Sequence, residues 1–512
     1  MYLTDKVKSL LYEAQVITTQ HKALKLLGDT IRDMQLRIDS PLKVAVVGII
    51  KAGKSTLINA LLRKEILATG NLEATYSVTW FKYGEVPRLV IRLKDNSCFE
   101  APIRDLHFWT LRDSKKSNPR LDNVQYVEIY DNNPMLQQIE IIDTPGLGST
   151  YRIDSENAID FLGISSQITT NEASKADAII YAFSKGVGES DNDVLSAFQN
   201  SFTSSSPINA FGVLTRVDAN WKNIGDQDPF EAASRIAYRY KTNPYFRTKL
   251  YNVVPVSSKT SGCTLEVTAK EYEILLKLSE LPEERLGKLL VNAERFCFKE
   301  YDDISVCAAD RRIVFDKYDR YGIYSAVGFI RGNTGRDELA EKLYRQSHVG
   351  DIGALLDQHF AKRASTIKAY FIISKMKDIC QTIINKGEAA DGVSHDLAQY
   401  ILARFQEIEE NEQGFLELKV LQYYYNSEIK FFSQQEEEDF LRLMGEYGSP
   451  LEERLNCKGG SVYDMIAAAR EKSSYWYTQA NLKASRGVYP EVSKILGRTC
   501  EHIYYYLKNA QA

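Results

Sequence analysis

Apolar residues recur along this chain with two different periods, and the switches between them divide it. Up to about residue 37, Val7, Leu10, Leu11, Ala14, Ala23, Leu24, Leu27, Ile31, Met34 and Ile38 keep helical spacing, which predicts one amphipathic helix ended by Ser40-Pro41. Short apolar runs follow at Val44–Val47, Ala176–Phe183, Ala210–Leu214 and Val253–Val256, and Gln138–Asp143 reads as a further strand. Runs of that length and β-branched content predict strands buried on both faces of a mostly parallel sheet, and Lys94-Asp-Asn-Ser97 predicts a hairpin turn among them. The helical period returns after about 260 and fills tracts near 361–386, 393–446, 462–484 and 489–510. A continuous helix of about fifty residues in the second tract would reach about 75 Å, with Gly414 the residue expected to interrupt it. The expected architecture is therefore an α/β domain with helices on both faces of its sheet, plus an all-helical neck and stalk bundle. Its expected divisions are an N-terminal helix over 1–38 packing with C-terminal helices, the α/β domain over 39–360 (core 40–260, helical extension 261–360), and the bundle over 361–512.

The junction between the first strand and the helix after it carries the strongest chemical signal. Gly48-Ile-Ile-Lys51-Ala52-Gly53-Lys54-Ser55 fits GxxxxGK[ST], preceded by a strand and followed by Leu57, Ile58, Leu61 and Leu62 on one helix face. In such a loop the glycines let backbone N–H groups approach phosphate oxygens. Lys54 reaches the β- and γ-phosphates, Ser55 can ligate Mg2+, and Ala52 and Thr56 complete the lining. A P-loop of this kind implies a nucleoside triphosphate.

Which base is bound must be read further along. Thr215-Arg216-Val-Asp218 follows the run Ala210–Leu214 in the position of an [NT]KxD guanine motif. Asp218 can accept from guanine's exocyclic amine and ring N–H, and the aliphatic stem of Arg216 can cover the base where lysine is usual. Between the two motifs, Asp143-Thr-Pro-Gly146 ends a strand; its carboxylate can hold magnesium through water and the Gly146 N–H can sense the γ-phosphate. Val253-Val-Pro-Val-Ser257-Ser258 supplies a last strand and a loop to close over the base. The order of these four signals is that of a P-loop GTPase, with GTP and GDP as ligands.

Composition narrows the class without changing this picture. An apolar share of 44% and a charged share of 26% fit a folded globular protein of more than one domain. The net charge of −4, with no basic stripe interleaved with aromatics, argues against nucleic acid as a partner and against an RNA-associated GTPase. Seven cysteines without CxxC spacing point to a reducing compartment, and the six histidines lack zinc-site spacing. The start, MYLTDKVKSLLYEAQ, has no apolar core of signal-peptide length, and no run reaches the 18 or so apolar residues of a bilayer span. A cytoplasmic protein, with reversible membrane contact left open, is expected.

With these residues in place, the chain resembles dynamin-superfamily GTPases, and bacterial dynamin-like proteins in particular. The resemblance covers about residues 40–260 and rests also on AGKSTLINALL, on Leu67-Ala-Thr-Gly-Asn-Leu-Glu-Ala-Thr75, on Val124–Tyr130 with Leu136 as paired strands before DTPG, and on Glu189-Ser-Asp191. It implies that Thr75 covers the magnesium ion and the γ-phosphate, that Ser55, Thr75 and Asp143 hold the metal, and that GTPase heads pair as a homodimer across the nucleotide. It also implies movement of a helical stalk and a peripheral membrane or protein partner for the helical region. Lys51 departs from the Ser or Asn common at its place, and related guanylate-binding proteins carry a cis-acting arginine there. Lys51 is thus either a second catalytic cation beside Lys54, Ser55 and Thr75, or a solvated side chain. Gly448–Gly460 and Ser474-Tyr-Trp-Tyr477 are the candidate lipid contacts; an interhelical connection and a core aromatic group are the alternatives.

Overall fold

The computed structural model describes residues 3–48, 51–68, 77–111, 119–145, 176–184, 209–221, 228–243, 246, 248–261, 266–361, 363–385, 392–425, 428–429, 432–447 and 450–510. Its strands are β1 (Leu42–Val47), β2 (Val78–Tyr83), β3 (Arg88–Leu93), β4 (Cys98–Ala101), β5 (Val124–Asp131), β6 (Ile139–Asp143), β7 (Ala178–Phe183), β8 (Ala210–Leu214) and β9 (Val253–Pro255). They form one sheet in the order β4-β3-β5-β2-β6-β1-β7-β8-β9. β6, β1, β7, β8 and β9 are mutually parallel, so their carboxyl ends share one edge. β7 and β8 are buried at every position, which is why their sequences run apolar without alternation.

Helices α1 (Leu3–Gln20) and α2 (Lys25–Asp39) precede the sheet, α3 (Lys54–Leu62) follows β1, and α4 (Pro229–Thr242) follows β8. After β9 come α5 (Ala269–Ser279), α6 (Ala308–Arg331), α7 (Arg336–Gln346) and α8 (Val349–Leu355). One face of the sheet packs Val44, Val46, Ile141 and Ile180 against Leu57 and Ile58 of α3 and Ile352 of α8. The other packs Ala45, Ile142 and Tyr181 in a core shared with Phe230 of α4, Leu275 of α5 and Val314 and Tyr318 of α6. Helices therefore cover both faces, as expected for this class.

Six C-terminal helices, α9 (Ala364–Asn385), α10 (Gly392–Asn411), α11 (Gln413–Tyr425), α12 (Gln434–Leu443), α13 (Val462–Leu482) and α14 (Tyr489–Asn509), share a second core with α1 and α2. Val7, Ile31, Met376, Phe405, Phe440, Trp476 and Leu496 all lie inside it. The aromatic group around Trp476 is part of this core: the indole is fully buried and its Nε1 donates to Asp439 Oδ2 at 3.2 Å. Within 450–460, a turn of helix at Leu451–Arg454 leads to the buried Leu455, and Arg454 Nε donates to Leu443 O at 2.7 Å, so this segment folds back as a connection. No described helix is long and apolar enough to cross a membrane.

Three expectations are corrected. The single N-terminal helix is two: His21 is extended (φ −127, ψ 105), and α2 folds back on α1 as a hairpin closed by the Lys8–Asp39 ion pair at 2.5 Å. A regular apolar stripe fits two stacked helices as well as one long one. The break falls where Thr18 and Thr19 turn their hydroxyls to the Gln15 carbonyl, at 3.1 and 2.7 Å. The tract 393–446 is likewise not one lever: it breaks at Glu412, not at Gly414, and again between Tyr425 and Gln434, where Ser433 and Glu436 form a capping box. Finally, β5 and β6 are not paired with each other, because β2 lies between them, parallel to β5 and antiparallel to β6. The turn at Lys94–Ser97 does join β3 to β4, with Asn96 at φ 66 and Asp95 Oδ1 accepting from the Ser97 N–H at 2.9 Å.

Candidate functional site

At the carboxyl end of β1 the chain turns at Gly48 with φ +154, and a Cβ there would lie 2.2 Å from the Ala182 carbonyl oxygen of β7, so only glycine fits. Lys51 (φ 65) and Gly53 (φ 82) carry the loop back through left-handed conformations. α3 then starts at Lys54 with no side-chain cap on its first N–H groups, the arrangement that favours an anion at a helix start. Thr215, just after β8, fixes the loop: its Oγ1 donates to Ala52 O at 2.6 Å, and its methyl and hydroxyl lie against Gly53.

Inside the loop, Lys54 is buried and its Nζ donates to Gly48 O at 3.2 Å. Burial pushes its ammonium down to about 8, against the opposing pull of Asp143. Asp143, at the end of β6, is wholly buried; Ser55 Oγ donates to its Oδ2 across 3.4 Å, and its Oδ1 has no hydrogen-bond partner among the described residues. Burial drives this carboxyl up to about 6, although Lys54 and Ser55 favour its charged form. A buried carboxylate oxygen without a partner beside a serine hydroxyl is a hard oxygen donor set. It fits Mg2+, which keeps most of its waters and phosphate ligands and asks little of the protein. Among the described residues no group of three or more His, Cys, Asp or Glu is gathered to hold a metal.

The base end lies along the same edge. Arg216 is exposed in a left-handed conformation (φ 56), from which a short 3-10 turn, Val217–Asn220, begins. That turn buries Asp218, whose Oδ1 accepts from Ser257 Oγ at 2.6 Å. Burial raises the Asp218 carboxyl and the Ser257 bond opposes it; Asp319 adds to the rise and Lys259 works against it. Ser257 is held by Ser347 O, which accepts from its N–H at 3.0 Å, and by Thr260 Oγ1 at 2.6 Å. Ser258 is buried one residue on, and its carbonyl accepts from Ser261 Oγ at 2.6 Å.

Gly48, Lys51, Ala52, Gly53, Lys54, Ser55 and Thr56 thus share one loop and helix start. Asp143 meets Ser55, Thr215 meets Ala52, and Asp218 meets Ser257. Thr75, Gly146 and Glu189–Asp191 lie outside the described residues. Sequence reasoning passed over Asn59, whose side chain donates to Leu67 O at 2.8 Å and accepts the Leu67 N–H at 2.9 Å, anchoring the chain that leads towards Thr75. An amide amid the apolar run Leu57–Leu62 was the available signal. It also passed over Lys259, Thr260 and Asp319, which no local pattern marks.

Residues 44–217 match the family model described as the Dynamin family. The chain is 24% identical over 492 residues to the isoniazid-induced protein IniC of Mycobacterium tuberculosis, covering 94% of each. It is 27% identical over 123 residues to dynamin-like protein 2 of Campylobacter jejuni, covering 24% of this chain and 19% of that one. A solved structure described as an oligomerised bacterial dynamin pair for long range sensing and tethering of membranes aligns over 99% of this chain and 74% of its own, at 16% identity and a TM-score of 0.33.

Proposed function

We propose that this chain, whose residues 44–217 match the Dynamin family model, is a dynamin-like GTPase whose α/β domain binds GTP and hydrolyses it to GDP and phosphate with magnesium as cofactor. The observation that carries the reading is the buried, unpartnered Asp143 Oδ1 set beside Ser55 and Lys54, on the same sheet edge as Asp218. Lys54 meets the phosphate charge, and Ser55 and Asp143, with Thr75, hold the metal. A magnesium ion held by these residues would supply neutralisation of phosphate charge. Asp218 accepts from the base amine and ring N–H, Ser257 and Ser258 close that side, and Thr215 keeps the loop in register. Titration calorimetry with GTP and ATP, and phosphate release with magnesium or with chelator, test this directly. Equal binding of ATP, or turnover indifferent to chelator, would overturn it.

Lys51 leaves the loop from a left-handed, exposed position, which supports its use as a second cation towards the transferring phosphoryl group. On this reading Lys51→Ala lowers kcat by roughly 10- to 100-fold with GTP affinity intact; an unchanged rate makes it a solvated side chain. Pairing of heads across the nucleotide and movement of the bundle complete the proposal for a cytoplasmic protein, peripheral to a membrane. The alternative is a nucleotide-gated protein-interaction switch without membrane deformation. It is favoured by the division of 393–446 into α10, α11 and α12, which leaves no long lever. Turnover measured across protein concentration, with and without anionic vesicles, separates the two: acceleration by concentration and lipid supports the first, flat turnover without vesicle binding the second.

A further inference from the structure

In the middle of α6, Asp319 adopts φ 58 and ψ −173, a conformation that glycine adopts readily and side-chain-bearing residues avoid. The helix kinks there, and the kink lies against the base end of the site. A Cβ on Gly322 would lie 3.5 Å from the Thr260 Cα, and Asp319 Oδ2 stands 3.9 Å from Lys259 Nζ. The other carboxylate oxygen, Oδ1, accepts the Arg320 N–H at 2.7 Å and restarts the helix. An aspartate can cap a helix from ordinary extended dihedrals, so capping alone does not require this conformation, and it occurs where α6 meets the Ser257–Thr260 loop. Lys259 feels two carboxylates, Asp319 and Asp218.

We infer that Asp319 is a positioning residue for base recognition: it draws the Lys259 ammonium away from Asp218 and holds the Ser257–Thr260 loop to α6, so that the helical extension shares in setting selectivity for guanine. The inference rests on the GTP reading above. Ser257 occupies Asp218 Oδ1 at 2.6 Å, which leaves the second carboxylate oxygen for the base. Without Asp319, the Lys259 side chain, 44% exposed, is free to pair with that oxygen and compete with the guanine amine.

The test is the affinity of the full chain for GDP and for IDP, which lacks the exocyclic amine, in the parent protein, Asp319→Asn, Lys259→Met and the double variant. Asp319→Asn keeps a side chain that tolerates positive φ and caps the same N–H. It is expected to weaken GDP binding about fivefold, the scale of one partly exposed charge pair, and to lower the GDP-to-IDP ratio with it. In the Lys259→Met background the same change is expected to leave the ratio untouched, because the competing cation is gone. Parental affinity and ratio in Asp319→Asn overturn the inference alone, as does an equal loss in the Lys259→Met background. A parent protein that binds no guanine nucleotide overturns the GTP reading and this inference together.

Discussion

Asp143 in the α/β domain and Glu436 in the helical bundle are both acidic side chains taken out of water, and folding treats them in opposite ways. Asp143 keeps one long bond from Ser55 and an unpartnered oxygen, so burial prevails and its carboxyl rises to about 6. Glu436, 4% exposed, is also penalised by burial, though it lies less deep, and it is surrounded by donors: Lys483 Nζ at 2.7 Å, the Ser433 N–H at 2.8 Å and the Tyr489 hydroxyl. Those bonds outweigh burial and hold its carboxyl down to about 2. Glu436 is solvated by protein groups and ties the bundle together, whereas Asp143 is left partly unsolvated at the edge where the proposed nucleotide site lies.

The hardest blow to this contrast is aimed at the cation beside Asp143. Lys54→Ala is expected to lower GTP turnover by on the order of a thousandfold, through lost binding and lost phosphate neutralisation, while the thermal unfolding midpoint stays at or above the parent's. Near-parental turnover with a lowered midpoint would make Lys54 architectural and end the contrast.

Next in size is the bundle side. Glu436→Ala removes the acceptor shared by α12, the start of α14 at Tyr489, and Lys483, and is expected to cost about 3 kcal/mol in denaturant unfolding. GTP turnover measured well below the transition is expected to stay intact. Acid sharpens the point. The folded Glu436 carboxyl lies below its usual 4.5, so its contribution is complete above that pH and is lost as pH falls through about 2. The gap between parent and Glu436→Ala is therefore expected to be constant above pH 4.5 and to narrow below it. A gap that does not change with pH would assign the effect to packing alone.

How much of this was legible beforehand follows the range of the interactions. β7, β8 and the P-loop are written in adjacent residues: an unbroken apolar run can satisfy only a doubly covered strand, and glycine at 48 and 53 answers a backbone need inside the same loop. Asp143 and Asp218 stood out as candidates because one ends and the other closely follows a strand at the carboxyl edge of the sheet. The insertion of β2 between β5 and β6, the turn at His21 and the meeting of Asp319 with Lys259 were not, because each is decided by residues distant in sequence. Periodicity reports that a helix has a buried face and is silent about which helix covers it. Hence the aromatic group around Trp476 could be placed in a helix, but its role as a core anchor depended on Asp439, 37 positions away.

The smallest expected effect is the one that separates the two carboxylates most cleanly. Asp143→Asn keeps the shape of the side chain and can still accept from Ser55, while removing a charge that the nucleotide-free fold stabilises poorly. The variant is therefore expected to be more stable than the parent by about 1–2 kcal/mol without nucleotide. With GTP and magnesium the order reverses, because the parent gains stability with the logarithm of ligand excess over its Kd and the variant, lacking its metal-facing charge, gains less. Thermal unfolding with and without GTP and magnesium reads both signs on one instrument. A variant less stable than the parent in the absence of nucleotide would mean that Lys54 and Ser55 already satisfy Asp143 as fully as Lys483, Ser433 and Tyr489 satisfy Glu436, and that the vacant oxygen is not held for a ligand.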